Sequence, residues 1–102
     1  MALIATDELT QYAAALLADG GFGAELAREM ADMLVWANLR GVESHGVLRI
    51  PRYVEMLDLG LVAADFTITE VSRTGAVCVL DAGKAPGARA MNRAVHEAAS
   101  LA

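Results

Sequence analysis

The chain has little of what usually announces an extracellular compartment, a metal or a nucleic-acid partner. It holds one cysteine, Cys78, in 102 residues. A lone thiol cannot close an internal disulfide or by itself build a zinc site, so no metal is expected. A reducing compartment suits it. Basic residues are few: 8 Lys and Arg stand against 13 Asp and Glu, a formal net charge of −5. An acidic surface repels a phosphate backbone and argues against nucleic acid as a partner, and with it against a DNA-binding helix-turn-helix. No apolar run reaches the roughly 20 residues of a membrane span. The N-terminus carries Asp7 and Glu8 and no early Lys or Arg, unlike a secretory or transit signal. The expected location is the cytoplasm. Aromatic residues are scarce (one Trp, two Tyr, two Phe) although 56 % of the chain is hydrophobic. Alanine supplies much of that fraction. The length fits one modest domain that buries roughly two-thirds of its unfolded surface.

Helical periodicity fills the first half. Residues 1–5 read as a lead-in and Thr6 as an N-cap, with Asp7 and Glu8 where a helix N-terminus favours negative charge. Leu9, Tyr12, Ala13, Leu16 and Leu17 form one apolar stripe, and Asp19-Gly20-Gly21 ends it. A second helix is predicted over 24–40, with Leu26, Met30, Met33, Leu34 and Ala37 on its apolar side and Gly41 just beyond it. The two pack as a hairpin. Pro51 interrupts a third pattern over 44–59. Either a short turn over 44–50 leads into a helix with Pro51 at its first position, or one kinked helix spans the segment. Gly60 closes it.

After Asp65 the period shortens. Residues 66–71 alternate as a strand, 72–75 turn, and 76–80 form a second strand continuous enough to be buried. Residues 83–87 are a loop. A fourth helix puts Ala88, Met91, Val95, Ala98 and Ala102 on its apolar side and Arg89, Asn92, Arg93 and Glu97 on its polar side. It runs to Ala102 with no glycine, proline or basic cap, and two strands alone make a poor sheet. The expected class is α+β: a helical region over 1–62, then 63–102 as the start of a mixed sheet-and-helix domain that is incomplete here.

Polar chemistry concentrates in Arg40-Gly41-Val42-Glu43-Ser44-His45-Gly46-Val47-Leu48-Arg49-Ile50-Pro51-Arg52-Tyr53. His45, Arg49 and Tyr53 are spaced i, i+4, i+8. On a helix they share a face and can point into one cleft. Histidine gives and takes a proton near neutral pH. Arginine grips a carboxylate with a planar fork, and serine and tyrosine hydroxyls orient a substrate oxygen. Gly46 permits close approach of backbone or ligand. Together the residues suit a 2-oxo or 2-hydroxy acid. The plainer reading is that Ser44-His45-Gly46 is a loop and that Arg49 pairs with Glu43 or Glu55 on the surface.

The stretch from Asn38 to Tyr53, with its Arg-Gly-x-x-Ser-His-Gly-x-x-Arg core, closely resembles the N-terminal signature of the malate/L-lactate dehydrogenase family. This is the second, non-Rossmann type, which includes ureidoglycolate, sulfolactate and diketogulonate-type enzymes and cyclic-imine reductases. The flanks agree: two leading helices with a glycine-rich break, the segment from Tyr53 to Gly60, and a strand ending in Asp81 before an alanine-rich helix containing Ala90-Met91. The resemblance spans essentially the whole chain. It implies the N-terminal portion of an NAD- or NADP-dependent oxidoreductase, passing hydride between the nicotinamide and C2 of a small 2-hydroxy or 2-oxo acid. Homodimers are typical of the family. The resemblance puts His45 in the active site as proton donor or acceptor. It puts Ser44, Arg49 and Tyr53 along the substrate pocket, Arg49 on the carboxylate. It assigns no cofactor-binding residues here. The family's second histidine motif and lysine are absent from this sequence, and Asp81-Ala82 stands where the family more often has Asp-Gly. The isolated chain is expected to be inactive as a dehydrogenase and to associate through uncovered apolar surface.

Other features read more simply. Residues 83–87 lie between a strand and a helix like a phosphate loop, but their spacing fits no phosphate-binding motif and a tight turn is the better reading. Cys78 reads as buried and inert, His96 as solvated, Met30 and Met33 as helix packing, and Trp36 as core filling or an oligomer contact. Glu25, Glu29 and Asp32 read as a solvated acidic face. The rival to the enzyme reading is a non-catalytic helical module that binds a partner protein, with His45 and Arg49 on its surface.

Overall fold

A computed structural model describes residues 3–102. The first two residues of the lead-in lie outside them. The elements run α1 (Thr6–Leu17), α2 (Ala24–Leu39), α3 (Ile50–Asp58), β1 (Thr69–Thr74), β2 (Val77–Asp81) and α4 (Gly87–Leu101). This is the α+β arrangement, helices first and a hairpin after. Among the described residues no helix is long and apolar enough to cross a membrane.

The leading hairpin forms as its periodicity dictates, with two local corrections. Asp7 and Glu8 occupy the first turn of α1, but the cap position is Ala5 and no side chain caps it. Thr6 is already helical, and its carbonyl accepts the Thr10 hydroxyl at 2.9 Å. The glycines do not stop the chain at Asp19. It continues through a widened helical turn, Ala18–Phe22, where Gly21 takes φ +115°. Gly20 serves packing: a Cβ there would lie 2.6 Å from Cγ2 of Val54 on α3. The α1–α2 elbow therefore seats directly on α3.

The core sits inside this helical part. Ala13 and Leu17 of α1 meet Phe22 and then Leu26, Ala27, Met30, Ala31 and Leu34 of α2, with Ile50, Val62 and Ala88 closing the sides. The alanines at 13, 27 and 31 let the helix axes approach closely. Met33, on the expected apolar stripe, is 41 % exposed, as the stripe edge turns from the core.

The hairpin departs further from expectation. Pairing radiates from a two-residue turn, Gly75-Ala76, with Gly75 at φ +57°, in the register Thr74↔Val77, Arg73↔Cys78, Ser72↔Val79, Glu70↔Leu80 and Thr69↔Asp81. Glycine at that turn allows the twist the strands need. It also extends β1 over 72–74, where a turn was expected. Val71 bulges out between Glu70 and Ser72. The first expected strand residues stay off the ladder. Phe66 packs against the core beneath the Arg89 guanidinium, 5.7 Å from its ring centre. The Thr67 carbonyl approaches Gly83 so closely that a Cβ there would stand 2.5 Å from it. β2 is not buried as expected: its side chains alternate between exposed and half-buried, because α4 covers only one face.

Helix α4 also sits differently from its stripe. Met91 and Val95 are 61 % and 63 % exposed. Its polar side carries the contacts instead. Arg89 pairs with Glu29, Asn92 donates to Glu29 at 2.8 Å, and Glu97 accepts from Arg93 at 2.9 Å and from Arg73 of β1 at 2.5 Å. The radius of gyration, 15.0 Å, exceeds the about 13 Å of a compact chain this long. The accessible surface, 6680 Å², exceeds the about 5,500 Å² of a compact monomer of this mass.

Candidate active site

The site residues follow the end of α2, and the sequence explains why the chain turns there. Arg40-Gly41 closes α2 with a paired cap: Gly41 N–H donates to the Asn38 carbonyl at 3.0 Å and Val42 N–H to the Ala37 carbonyl at 3.0 Å. Gly41 takes φ +77°, the left-handed angle this cap needs. Two single 3-10 turns follow, Glu43–His45 and Val47–Arg49, separated by an extended Gly46. Buried Ile50 anchors the start of α3, with Pro51 in its first turn. The turn-then-helix alternative is the one adopted.

This backbone breaks the simple helical spacing of His45, Arg49 and Tyr53, and only part of the expected cluster forms. Ser44 is the hub. Its hydroxyl lies 2.9 Å from Nδ1 of His45, and its carbonyl accepts Nε–H of Arg49 at 2.8 Å. The bond at Nδ1 fixes the ring against the turn. Nε2 has no hydrogen-bond partner among the described residues, nor do the two terminal nitrogens of Arg49. Ser44 and His45 are exposed and Arg49 is half-buried. Neither Glu43 nor Glu55 pairs with Arg49 in the described residues; Glu55 takes Arg52 instead, at 2.6 Å.

Tyr53 lies apart. It is half-buried against the core and lines a cavity of about 220 Å³ with Phe22, Met30, Met56, Val62 and Lys84. Neither His45 nor Arg49 is among the walls of that cavity.

Gly46 admits a close approach, but the approaching group is a side chain of the protein. Asn38 Oδ1 accepts the Val47 N–H at 2.9 Å and would stand 2.2 Å from a Cβ on residue 46. The sequence carried a signal for this residue. Asn38 is four positions after Leu34 and eight after Met30, so it is a polar residue continuing an apolar stripe.

The loop before α4 is braced by hydrogen bonds of its own. Gly83 N–H donates to Asp81 Oδ1 at 2.9 Å, Ala85 N–H to the Ala82 carbonyl at 3.0 Å, and Lys84 Nζ to the Gly60 carbonyl at 3.1 Å. The Lys84 carbonyl in turn accepts from Ala63 N–H.

Two further clusters correct the sequence reading. Glu29 is not merely part of a solvated acidic face. Burial opposes its ionisation, but the bonds from Asn92 and Arg89 and the charge of Arg89 outweigh this and hold its carboxyl below the usual carboxylate range. Cys78 is half-exposed, with its thiol donating toward Glu70 at 3.6 Å. Desolvation and that carboxylate push the thiol up. Glu70, Cys78 and Glu97 converge within 4.8 Å, but the Arg73 guanidinium already bonds both carboxylates. Trp36 fills no core; it is exposed, with the Arg40 guanidinium 5.0 Å over its ring.

An imidazole and a guanidinium are thus tied to one serine, with Nε2 of the ring and the two terminal nitrogens of the guanidinium left unbonded among the described residues. The chain is similar to known proteins along nearly its whole length. Residues 4–102 match the profile of the malate/L-lactate dehydrogenase family. The malate dehydrogenase of Pyrococcus abyssi is 34 % identical over 99 residues, covering 93 % of this chain and 27 % of its own length. The 2,3-diketo-L-gulonate reductase of Citrobacter koseri is 34 % identical over 82 residues, covering 80 % of this chain and 25 % of its own. The solved sulfolactate dehydrogenase of Methanocaldococcus jannaschii superposes with a TM-score of 0.81 at 28 % identity, over 98 % of this chain and 30 % of that one. The chain belongs to the malate/L-lactate dehydrogenase family. It spans about a quarter of the length of the curated relatives it matches.

Proposed function

We propose that this chain supplies the acid-gripping, proton-handling part of an oxidoreductase acting on small 2-hydroxy and 2-oxo acids. The acids in the names of the relatives, malate, sulfolactate and diketogulonate, share a carboxylate beside an oxygenated carbon, which suits this reading. The observation that carries it is the double attachment of Ser44, which ties His45 and Arg49 into one unit. With Nε held by the Ser44 carbonyl, the two terminal nitrogens of Arg49 remain as a fork for a carboxylate. With Nδ1 held by the Ser44 hydroxyl, Nε2 of His45 remains to exchange a proton with the oxygen on C2 of the acid. Tyr53, which lines a separate cavity without His45 or Arg49, takes no part in this grip.

Hydride chemistry belongs to a nicotinamide, NAD or NADP. In this reading residues 1–62 are the helical N-terminal region of a longer, dimeric, cytoplasmic enzyme. Residues 63–102 begin its cofactor domain. The isolated chain then has no dehydrogenase activity.

Titration of the isotopically labelled chain with oxaloacetate, followed by NMR, tests the reading. Shifts are expected at Ser44, His45 and Arg49, and their loss in Arg49→Ala. A flat titration, or clear NADPH oxidation with 2-oxo acids by the 102-residue chain, overturns it. A second reading has its own support: Leu9, Tyr12, Leu16, Val47 and Leu48 line an apolar groove. A folded monomer that ignores the acid favours a helical interaction module instead.

A further inference from the structure

We propose that Asn38 is a positioning residue for His45, which rests on the reading of His45 as the proton-handling group. His45 and Gly46 spend their backbone N–H groups within the segment, on Val42 and Glu43. The Val47 N–H reaches out of it, to Oδ1 of Asn38 at 2.9 Å. The atom facing a donor must be the oxygen, so the carboxamide orientation is fixed by its partner. The same carboxamide lies against Gly46. A Cβ there would stand 2.2 Å from Oδ1, 2.5 Å from Cγ and 2.6 Å from Nδ2.

Asn38 thus holds the residue after His45 by contact and the next one by a hydrogen bond. Its own backbone carbonyl accepts from Gly41 in the cap of α2. The clamp therefore joins a rigid helix end to the turn carrying the imidazole. No other side chain donates to or accepts from the backbone of 45–47 among the described residues. The arrangement explains why residue 46 is glycine at a negative φ, −96°. Space, and not backbone angle, excludes a side chain there.

The imidazole itself makes one hydrogen bond, to Ser44 of the same turn. That bond fixes the ring relative to the turn but does not reach α2. Asn38 supplies the missing fixation. Catalytic geometry needs both, because small displacements of a proton-transferring atom cost rate.

The test uses the 102-residue chain and its Asn38→Ala, Asn38→Asp and Gly46→Ala variants. In Asn38→Ala the Val47 amide is expected to exchange about tenfold faster. Amides of Leu17, Met30 and Leu34 keep their protection. The His45 ring signals move toward those of exposed His96. Asn38→Asp retains the acceptor and restores Val47 protection. Gly46→Ala reproduces the Asn38→Ala result, and the two combined add little, because both break one contact. Unchanged Val47 exchange and His45 signals in Asn38→Ala overturn the proposal. Core amides that accelerate as much as Val47 also overturn it, since the role is then merely structural. If the variants behave as expected but oxaloacetate moves nothing in the unaltered chain, the clamp stands, and the functional reading falls together with the positioning role.

Discussion

Two halves of the molecule are held together by different forces. From α1 to α3 the chain closes on itself by apolar burial, with Leu17 and Ala27 fully excluded from water and glycine contacts set to fractions of an ångström. From β1 to α4 it is held largely by charge: Arg73 with Glu70 and Glu97, Arg93 with Glu97, and Arg89 with Glu29. Only Ala88 of α4 is buried, and Val71, Val77 and Val79 of the hairpin face outward. The contrast teaches where rigidity lies. The candidate site hangs from the well-packed half, at the junction of α2 and α3, and the half-covered layer leans on it.

Breaking the packed half gives the largest effect. Leu17→Ala removes a fully buried side chain and is expected to cost about 3–4 kcal/mol, measured by denaturant unfolding. Val77→Thr and Val79→Thr, on the open face, stay within about 0.5 kcal/mol in the same assay. Gly20→Ala comes next. Its Cβ meets Val54 at 2.6 Å, and about 1–3 kcal/mol is expected to be lost. Val54→Ala in the same chain gives back part of that loss, and a double-mutant cycle measures the coupling.

The charged half responds to pH and salt. Glu29, Glu70 and Glu97 are held below their ordinary value of 4.5 in the folded chain. For Glu70 and Glu97 the leading cause is the hydrogen bond from Arg73. A depressed carboxylate stabilises the fold fully above its unfolded value. That stability is lost as pH falls through the folded value. Amide protection in β1, β2 and α4, corrected for the intrinsic pH dependence of exchange, is therefore expected to hold steady from neutral pH to about 5 and to fall below it, ahead of α1 and α2. Glu29→Gln weakens α4 docking by about 1 kcal/mol at neutral pH and removes its share of that pH dependence. The smallest effect is that of salt: about 1 M NaCl speeds exchange in the hairpin slightly and leaves the α1–α2 amides unchanged.

The same contrast explains which features were legible in the residues. The helices α1 and α2 and the closure at Gly41 follow from local periodicity and from an angle that glycine favours. The Ser44-His45-Arg49 unit was visible as a cluster, but its geometry was not. A regular helix would have lined Tyr53 up with His45 and Arg49, whereas the extended Gly46 and the two short turns send Tyr53 to a separate cavity. The strand register slipped because Phe66 and Thr67 were drawn into contacts with α4 and Gly83. Helix α4 turns its ion-pairing side, with partners 24 and 60 residues away, toward the rest of the chain and leaves Met91 and Val95 exposed.

The amino-acid sequence by itself determined the helices, the closure at Gly41 and the collection of ionisable side chains in one short stretch, because these depend on neighbours within a few positions. The tertiary structure alone decided which of those side chains meet, which face of α4 is covered and which atoms fill the space beside Gly46. Those outcomes turn on contacts between distant parts of the chain, where a single approach such as Asn38 against Gly46 selects one arrangement among several that local pattern permits equally.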